Sequence, residues 1–150
     1  MKTVYFVQHG IAHPKETDHT RALSDGGIDE VRRVATYLKN HHIAIAKICH
    51  SGKLRAQQSA LIFSEILAVD NILEVNVMNP NDSAAKLITQ LTEDAVMYIG
   101  HLPNIANVVA LLISGDANKP LLKFKNSAVA CIEMETDSAS LQWFITADMC

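Results

Sequence analysis

The sequence has no apolar run long enough to span a bilayer as a helix, and it lacks the features of a secretion signal. Residues 1–8 carry one cation and a short apolar stretch, and they lead into His9 and Gly10 rather than a small-residue cleavage site. We therefore expect neither a membrane span nor a cleaved leader in this chain.

Cysteine is scarce, and no two cysteines lie close together in the sequence. The chain has only Cys49, Cys131 and Cys150, which lie far apart and show no metal-ligand spacing. An odd number of isolated cysteines argues against a disulfide framework and is typical of a reducing compartment. We expect a cytoplasmic protein in which these side chains are small buried apolar groups or, at the C-terminus, a free thiol.

The sequence has no large excess of positive or negative charge. Thirteen Lys and Arg against sixteen Asp and Glu give a net charge of −3, which argues against nucleic-acid binding by bulk charge. The 150 residues, 49% hydrophobic and 19% charged, fit a single globular domain over residues 1–150. Seven histidines are many for this length and form a reserve of positive charge near neutral pH.

Short apolar runs alternate with helical patterns along the whole chain, without a repeat or a linker. We predict strands over residues 3–7, 43–49, 72–77, 95–99, 127–134 and 141–145. We predict helices over residues 25–41, from a Ser51 cap to about residue 68, from an Asp82 cap, and from Pro103. This order predicts a three-layer α/β/α sandwich with a mostly parallel sheet. The last two strands form a hairpin, which needs an antiparallel strand at a sheet edge.

Polar side chains follow three of the predicted strands at the point where each ends. His9 follows the first strand, Ser51 and Arg55 follow the second, and His101 follows the fourth. Because the carboxyl ends of parallel strands meet at one edge, these groups should converge beside helix N-termini, which favour anions. Taken singly, each residue also has an ordinary structural explanation. Their occurrence together at matching junctions favours an oxyanion pocket. Phosphate is the expected oxyanion, because it suits the planar guanidinium group of an arginine.

Several motifs occur in one order along nearly the whole chain. They are Val7-Gln8-His9-Gly10, Arg21-Ala22-Leu23-Ser24-Asp25-Gly26-Gly27, Ser51-Gly52-Lys53-Leu54-Arg55-Ala56-Gln57-Gln58-Ser59, Gly100-His101-Leu102-Pro103 and Asn126-Ser127-Ala128. With these motifs the chain resembles the histidine phosphatase (phosphoglycerate-mutase-like) superfamily. Within it, the chain is most similar to the small SixA-type phosphohistidine phosphatases.

The resemblance implies a role for each matching position. His9 matches the nucleophile that becomes phosphorylated, Arg55 and Arg21 match arginines that hold the phosphoryl oxygens, and His101 matches the second pocket histidine. The attacking nitrogen of His9 must be unprotonated, so its other nitrogen should donate a hydrogen bond to backbone. We expect Arg55, Arg21 and a protonated His101 to supply positive charge. Water then releases the phosphate, without a metal or other cofactor.

Three further residues are expected to contact the phosphate. Gln8 and Gly10 flank the nucleophile, and Ser51 matches the serine at the end of the second strand, with a less defined role. Larger family members add a carboxylic acid for an alkoxide leaving group, but here only Glu16 and Asp18 lie in the adjacent loop. Imidazole leaves more easily than an alkoxide, so phosphohistidine on a protein is the expected substrate.

The expected partner is accordingly a phosphohistidine-bearing protein such as a histidine-containing phosphotransfer domain. We expect no nucleic-acid partner and no membrane partner, and we expect the protein to be a monomer. The chain has no inserted segment that would enclose a small metabolite.

The first motif departs from the family pattern, because Gln8 stands where the family has arginine. A cation at pocket distance contributes on the order of 4 kcal/mol, and even part of this is a large factor in rate. The alternative function is therefore a degenerate, non-catalytic module that binds a phosphate or phosphoprotein.

The sequence allows two further hypotheses about the basic residues. Gly52 stands where proline is common, and the flanking His50 or Lys53 could replace the charge lost at Gln8. Otherwise His50 faces the helix layer and Lys53 faces solvent. A metal protein, with a site at His9 and His13 or at His41 and His42, is the third hypothesis after the phosphatase and the binding module, although no carboxylate or cysteine completes such a site.

Overall fold

Six strands and four helices alternate in the computed structural model, which describes residues 1–150. The strands are β1 (Lys2–Gln8), β2 (Lys47–His50), β3 (Ile72–Glu74), β4 (Val96–Gly100), β5 (Val129–Met134) and β6 (Ala139–Ile145). The helices are α1 (Asp25–Asn40), α2 (Leu54–Leu67), α3 (Ala84–Ile88) and α4 (Asn104–Ser114), followed by a 3-10 helix (Ala147–Met149). None of these helices has the length and apolar character that crossing a membrane requires.

One sheet carries all six strands in the order β3-β2-β4-β1-β5-β6. Strands β1 to β4 are mutually parallel, whereas β5 pairs antiparallel with both β1 and β6, and β6 forms the edge. The predicted α/β class, with a mostly parallel sheet and a C-terminal antiparallel hairpin, is confirmed.

Strands β1, β2 and β4 end at neighbouring positions of the sheet. Gln8 of β1 lies opposite Gly100 of β4, and His50 of β2 lies opposite Ile99. The loops that follow β1, β2 and β4 therefore start at the same edge of the sheet, which is the arrangement that brings side chains from distant parts of the sequence together.

The sheet separates two apolar clusters, and β1 contributes to both. Tyr5 and Val7 pack with side chains of α1 and α2, whereas Val4 and Phe6 pack with side chains of α3 and α4. Burial on both faces explains why β1 is apolar at consecutive positions instead of alternating. The predicted three layers follow from this division.

The cysteines follow the same division. Cys49 lies in the cluster beneath α3 and α4, Cys131 lies in the cluster beneath α1 and α2, and both are buried free thiols. Burial raises the pKa of both thiols, to about 11 for Cys131, which keeps them protonated and unreactive at neutral pH. The prediction that these two act as small apolar groups is confirmed. Cys150 is half-buried.

Two predicted strands are shorter in the structure. β2 begins at Lys47 instead of residue 43, and β3 ends at Glu74 instead of residue 77. Ile43 and Ile45 pack against the core cluster, so this segment is apolar because it is covered and not because it belongs to the sheet. Apolar character alone does not distinguish these two cases.

Two predicted helix caps are also wrong. The N-cap residue of α2 is Lys53, which makes no side-chain cap bond, whereas the Ser51 hydroxyl lies two residues earlier and binds His101. α3 is capped by Ser83, since the Asp82 carboxylate instead accepts a hydrogen bond from the Asn79 backbone N–H. The Ser51 and Asp82 side chains instead form hydrogen bonds within or between loops.

Candidate active site

Three loops meet where β1, β2 and β4 end, and their side chains form one polar pocket. His9, Ser51 and His101 are all buried there, and the ring centroids of the two histidines are 5.0 Å apart. Arg55, on the first turn of α2, donates from Nε to His9 Nε2 over 3.3 Å. The structure thus brings together the three residues expected to carry the chemistry.

The backbone of the loop that follows β1 fixes the tautomer of His9. His9 Nδ1 lies 2.7 Å from the carbonyl oxygen of Gly10, and because a carbonyl can only accept, Nδ1 carries the hydrogen. Burial lowers the pKa of His9 to about 4, and the Arg55 and Arg21 charges act in the same direction. The ring is therefore neutral at pH 7, with its lone pair on Nε2, where it accepts the hydrogen of Arg55 Nε. A phosphoryl group has to replace this hydrogen bond before Nε2 can attack it.

His101 is held by the Ser51 hydroxyl. Ser51 Oγ lies 2.6 Å from His101 Nε2 and also accepts from the Lys53 backbone N–H at 3.3 Å. Burial, followed by the nearby His9 and Arg55, lowers the pKa of His101 to about 3. The expectation of a protonated His101 is therefore wrong, because burial disfavours the charged ring. Its Nδ1 atom is buried without a hydrogen-bond partner.

Arg21 and Arg55 are the cations of the pocket. Arg21 donates from Nε to the His13 carbonyl oxygen at 3.1 Å, and its charge lowers the pKa of His9, His101 and Arg55. Neither guanidinium forms an ion pair, since the two salt bridges of the molecule join the N-terminus to Glu135 and Lys47 to Glu93. Two unpaired guanidinium groups beside neutral imidazoles form a site suited to an oxyanion.

Three hydrogen-bonding residues support the pocket in positions to which sequence reasoning assigned no role. Ser59 Oγ accepts from the Gly10 N–H at 2.9 Å and donates to the Arg55 carbonyl at 2.8 Å, so it connects the loop that follows β1 to α2. Asn126 Nδ2 donates to the His9 carbonyl at 3.0 Å, and Gln58 Oε1 accepts from the Leu23 N–H at 2.7 Å. All three residues lie in the sequence motifs that carry the family resemblance, and this position was the signal that could have indicated their role.

Gly10 itself is required by close packing. A Cβ atom at this position would lie 2.6 Å from a methyl carbon of Val31 and 3.1 Å from one of Leu23. Any larger residue would push the loop away from α1 and disturb the carbonyl that holds His9.

No carboxylic acid is available beside His9. Both Asp18 oxygens accept hydrogen bonds, from Thr20 and from the Ala22 N–H, and these bonds lower the pKa of its carboxyl group. Asp18 is therefore ionised at neutral pH and has no proton to donate. Glu16 is exposed.

The histidine pairs considered for a metal site have other contacts. His41 Nδ1 lies 2.8 Å from the Tyr37 carbonyl, and the His41 ring stacks on the Tyr37 ring. Both ring nitrogens of His9 are engaged, by the Gly10 carbonyl and by Arg55 Nε. No group of three or more His, Cys, Asp or Glu side chains has a geometry that could hold a metal ion.

Known proteins share this architecture. No protein-family model matches the chain. It is 28% identical over 149 residues to the phosphohistidine phosphatase SixA of Escherichia coli strain K12, an alignment that covers 93% of this chain and 91% of that protein. The structure of SixA complexed with tungstate superimposes with a TM-score of 0.86 at 24% identity over 98% of each chain. The resemblance to SixA-type histidine phosphatases is confirmed.

The fold is not restricted to SixA-type proteins. A phosphoserine phosphatase from Entamoeba histolytica, solved in complex with phosphoserine, superimposes with a TM-score of 0.75 at 14% identity over 98% of each chain. The fold therefore accommodates phosphatases that differ in their named substrates, and substrate choice must be argued from the pocket.

Gln8 is the main departure from the SixA-type motif. It ends β1, and its amide oxygen is buried without a hydrogen-bond partner. A buried acceptor without a donor is unfavourable, and an arginine at the same position would carry only donors. The substitution thus removes a charge and also leaves an unsatisfied polar atom.

The second departure, at Gly52, has a backbone cause. Gly52 has a φ of +90°, which proline cannot adopt, so the turn between β2 and α2 differs from one built on proline. Its N–H donates to His50 Nδ1 at 3.1 Å. Burial lowers the pKa of His50, so this histidine is neutral and supplies no charge at neutral pH. Lys53 is exposed, yet its charge helps to lower the pKa of His101.

The two pocket histidines make the protein sensitive to acid. Their pKa values, about 4 for His9 and about 3 for His101, lie below the value of about 6.5 expected in the unfolded chain. Between these limits the unfolded chain binds more protons, so the free energy of unfolding decreases as the pH falls below about 6.5. The loss is up to about 1.4 kcal/mol per histidine per pH unit.

Urea unfolding at about pH 7 and about pH 5 tests this, with the midpoint expected to fall clearly at the lower pH. The variant His101→Asn should show a smaller pH dependence, because one of the two titrating groups is gone. Equal stability at both pH values would contradict the assignment of neutral, buried imidazoles.

Ser59→Ala should lower both stability and activity. The substitution leaves the Gly10 N–H without its acceptor, which costs about 1–3 kcal/mol of unfolding free energy, and frees the loop that orients His9. We expect about a tenfold lower kcat. Ser64→Ala is the matched control, because Ser64 is another α2 serine that bonds to backbone, at Val69, away from the pocket. If both variants lose activity equally, Ser59 has no special role.

Proposed function

We propose that this protein hydrolyses phosphohistidine on a protein substrate through a phosphoryl group carried on His9. The observation that carries the proposal is the state of His9: a neutral ring with Nδ1 bound to the Gly10 carbonyl and Nε2 next to Arg55 Nε. A general phosphate-binding pocket requires cations, but it does not require a neutral histidine whose unprotonated nitrogen lies next to one of them.

The first step transfers the phosphoryl group between two imidazoles. His9 Nε2 attacks phosphorus, the nitrogen–phosphorus bond of the substrate breaks, and the substrate histidine leaves as a neutral ring if its distal nitrogen already holds a hydrogen. No net proton transfer is needed, because His9 keeps its hydrogen on Nδ1 and takes over the charge state of the substrate ring. This balance explains how a pocket without a carboxylic acid suits phosphohistidine.

The second step releases the phosphate. Water attacks the phosphorus on His9, the bond to Nε2 breaks, and both hydrogens of the water leave with the phosphate. The Arg55 and Arg21 guanidinium groups stabilise the equatorial oxygens during both steps.

The partner we propose is a folded protein such as a histidine-containing phosphotransfer domain. SixA of Escherichia coli is named a phosphohistidine phosphatase, and this chain resembles it over 93% of its length. The three free thiols fit the reducing environment of the cytoplasm, where we place the protein.

The test is to trap the intermediate. The protein is mixed with a phosphohistidine peptide, quenched within milliseconds and analysed by mass spectrometry. We expect a phosphoryl group on His9 and phosphate release that His9→Ala abolishes. Phosphate release that persists in His9→Ala, or a phosphoryl group on another residue, would overturn the mechanism.

The second candidate is a module that binds a phosphorylated side chain without turning it over, and the loss of charge at Gln8 favours it. The same mixture distinguishes the two functions. Stoichiometric binding of the peptide without phosphate release and without a label on His9 would identify the binding module.

A further inference from the structure

Arg21 has an unusual backbone conformation that the surrounding loop must maintain. Its φ is +52°, in the left-handed region that residues other than glycine seldom occupy, at a cost of about 1 kcal/mol. The loop between β1 and α1 has no regular secondary structure around this residue. The direction in which the Arg21 side chain leaves the backbone therefore depends on local hydrogen bonds.

Asp18 accepts four of these hydrogen bonds, whereas the two residues after Arg21 are also held elsewhere, the Ala22 carbonyl by the His13 N–H and the Leu23 N–H by the Gln58 side chain. The backbone carbonyl of Asp18 accepts from the Arg21 N–H at 3.0 Å, and Asp18 Oδ2 accepts from the Ala22 N–H at 3.0 Å. Its Oδ1 accepts from the Thr20 N–H at 3.0 Å and from the Thr20 hydroxyl at 2.8 Å. The N–H groups on both sides of the Arg21 Cα are thus anchored to one residue.

The loop is also fixed at its beginning. The Asp18 N–H donates to the Pro14 carbonyl at 2.9 Å, and the Arg21 guanidinium reaches back to the His13 carbonyl. Asp18 does not form a salt bridge with Arg21, so its carboxylate fixes the backbone without neutralising the cation. A carboxylate used in this way leaves the full charge of Arg21 for an anion in the pocket.

We propose that Asp18 is a positioning residue that aims Arg21 into the phosphate pocket. This inference rests on the proposed function, because it assigns Arg21 to phosphate. It gives a role to the one carboxylate of the nucleophile loop that is fully hydrogen-bonded, and that role is distinct from donating a proton. Asp18 itself touches neither substrate nor reacting atoms.

A double-mutant cycle on phosphate binding tests the proposal. Titration calorimetry with inorganic phosphate is carried out on the unmodified protein, Asp18→Ala, Arg21→Ala and the double variant. We expect Asp18→Ala to raise the Kd about tenfold, the order of one charge-assisted hydrogen bond, but to change it less than about twofold when Arg21 is absent. Glu16→Ala is the matched control, since it removes a carboxylate from the same loop and should leave the Kd unchanged.

The conservative variant Asp18→Asn separates positioning from folding. It retains an oxygen for Thr20 but offers an NH₂ group where the Ala22 N–H needs an acceptor, so the Kd should rise by an intermediate factor. Additive effects of Asp18→Ala and Arg21→Ala would overturn the positioning role. Phosphate binding that follows the cycle in a protein that does not hydrolyse phosphohistidine would refute the proposed function alone. Absence of phosphate binding by the unmodified protein would refute both.

Discussion

Arg55→Ala should lower kcat/KM for a phosphohistidine peptide by about a thousandfold. Arg55 is one of two pocket cations, it has no competing ion pair, and its Nε lies 3.3 Å from the nucleophilic nitrogen of His9. A cation at such a distance contributes about 4 kcal/mol at an intermediate effective dielectric, and the negative charge it meets is spread over the transferring phosphoryl oxygens.

The pH dependence of the Arg55 variants gives a second, independent readout. The Arg55 charge helps to hold the pKa of His9 at about 4, so its removal should raise that pKa towards the ordinary value. The activity of Arg55→Ala should then decline further as the pH falls from about 7 to about 5, because a protonated His9 cannot attack. Arg55→Lys keeps the charge without the planar fork, and we expect a smaller loss with little change in the pH profile.

Arg32→Ala provides the control for a general effect of removing an arginine. Arg32 is an exposed residue of α1 outside the catalytic pocket, so its removal should leave kcat/KM within about twofold. If Arg55→Ala retains activity to the same degree, the assignment of Arg55 to the phosphoryl group is wrong.

The layered fold and the meeting of the three loops follow from local features of the sequence. Apolar runs separated by helical patterns define the parallel strands, and the rule that such strands end at one edge brings His9, Arg55 and His101 together. The bond between His9 Nδ1 and backbone also follows, because a nucleophilic imidazole needs its other nitrogen occupied. These inferences depend only on the chemistry of each residue type and on the order of the residues in the sequence.

The charge of His101 could not be obtained in this way. Whether a histidine is protonated depends on how far it is desolvated and on which charges surround it, and both are properties of the packed molecule. The same holds for Ser59, whose hydroxyl accepts from the N–H of Gly10, 49 residues away in the sequence, and donates to the Arg55 carbonyl. It holds again for Asp18, where only the hydrogen bonds distinguish a loop anchor from a candidate acid.

Gln8→Arg should raise kcat/KM for a phosphohistidine peptide by about a hundredfold. The change introduces, next to His9, the arginine that the resemblance to SixA-type phosphatases implies at this position, and part of the roughly 4 kcal/mol that a pocket cation contributes is enough for this factor. It also removes the buried amide oxygen that has no partner. Because a third guanidinium joins Arg21 and Arg55, the unliganded protein should become less stable, and added phosphate should restore the stability.

Two control variants separate charge from shape at this position. Gln8→Met keeps the length of the side chain without its amide, and it should lower kcat/KM by about tenfold if the amide donates to a phosphoryl oxygen. Lys53→Met tests compensation: its effect should be larger with Gln8 than with arginine at position 8, because Lys53 adds positive charge near His101. His50→Ala should show no such coupling, since burial keeps His50 neutral.

The direction of the Gln8→Arg result distinguishes the two candidate functions. In an enzyme whose rate is limited by charge in the pocket, the added guanidinium stabilises the transition state more than the bound phosphohistidine, and kcat rises. In a binding module it tightens the complex without phosphate release. An unchanged kcat, together with a lower Kd for inorganic phosphate, would show that the charge at position 8 is used for binding alone.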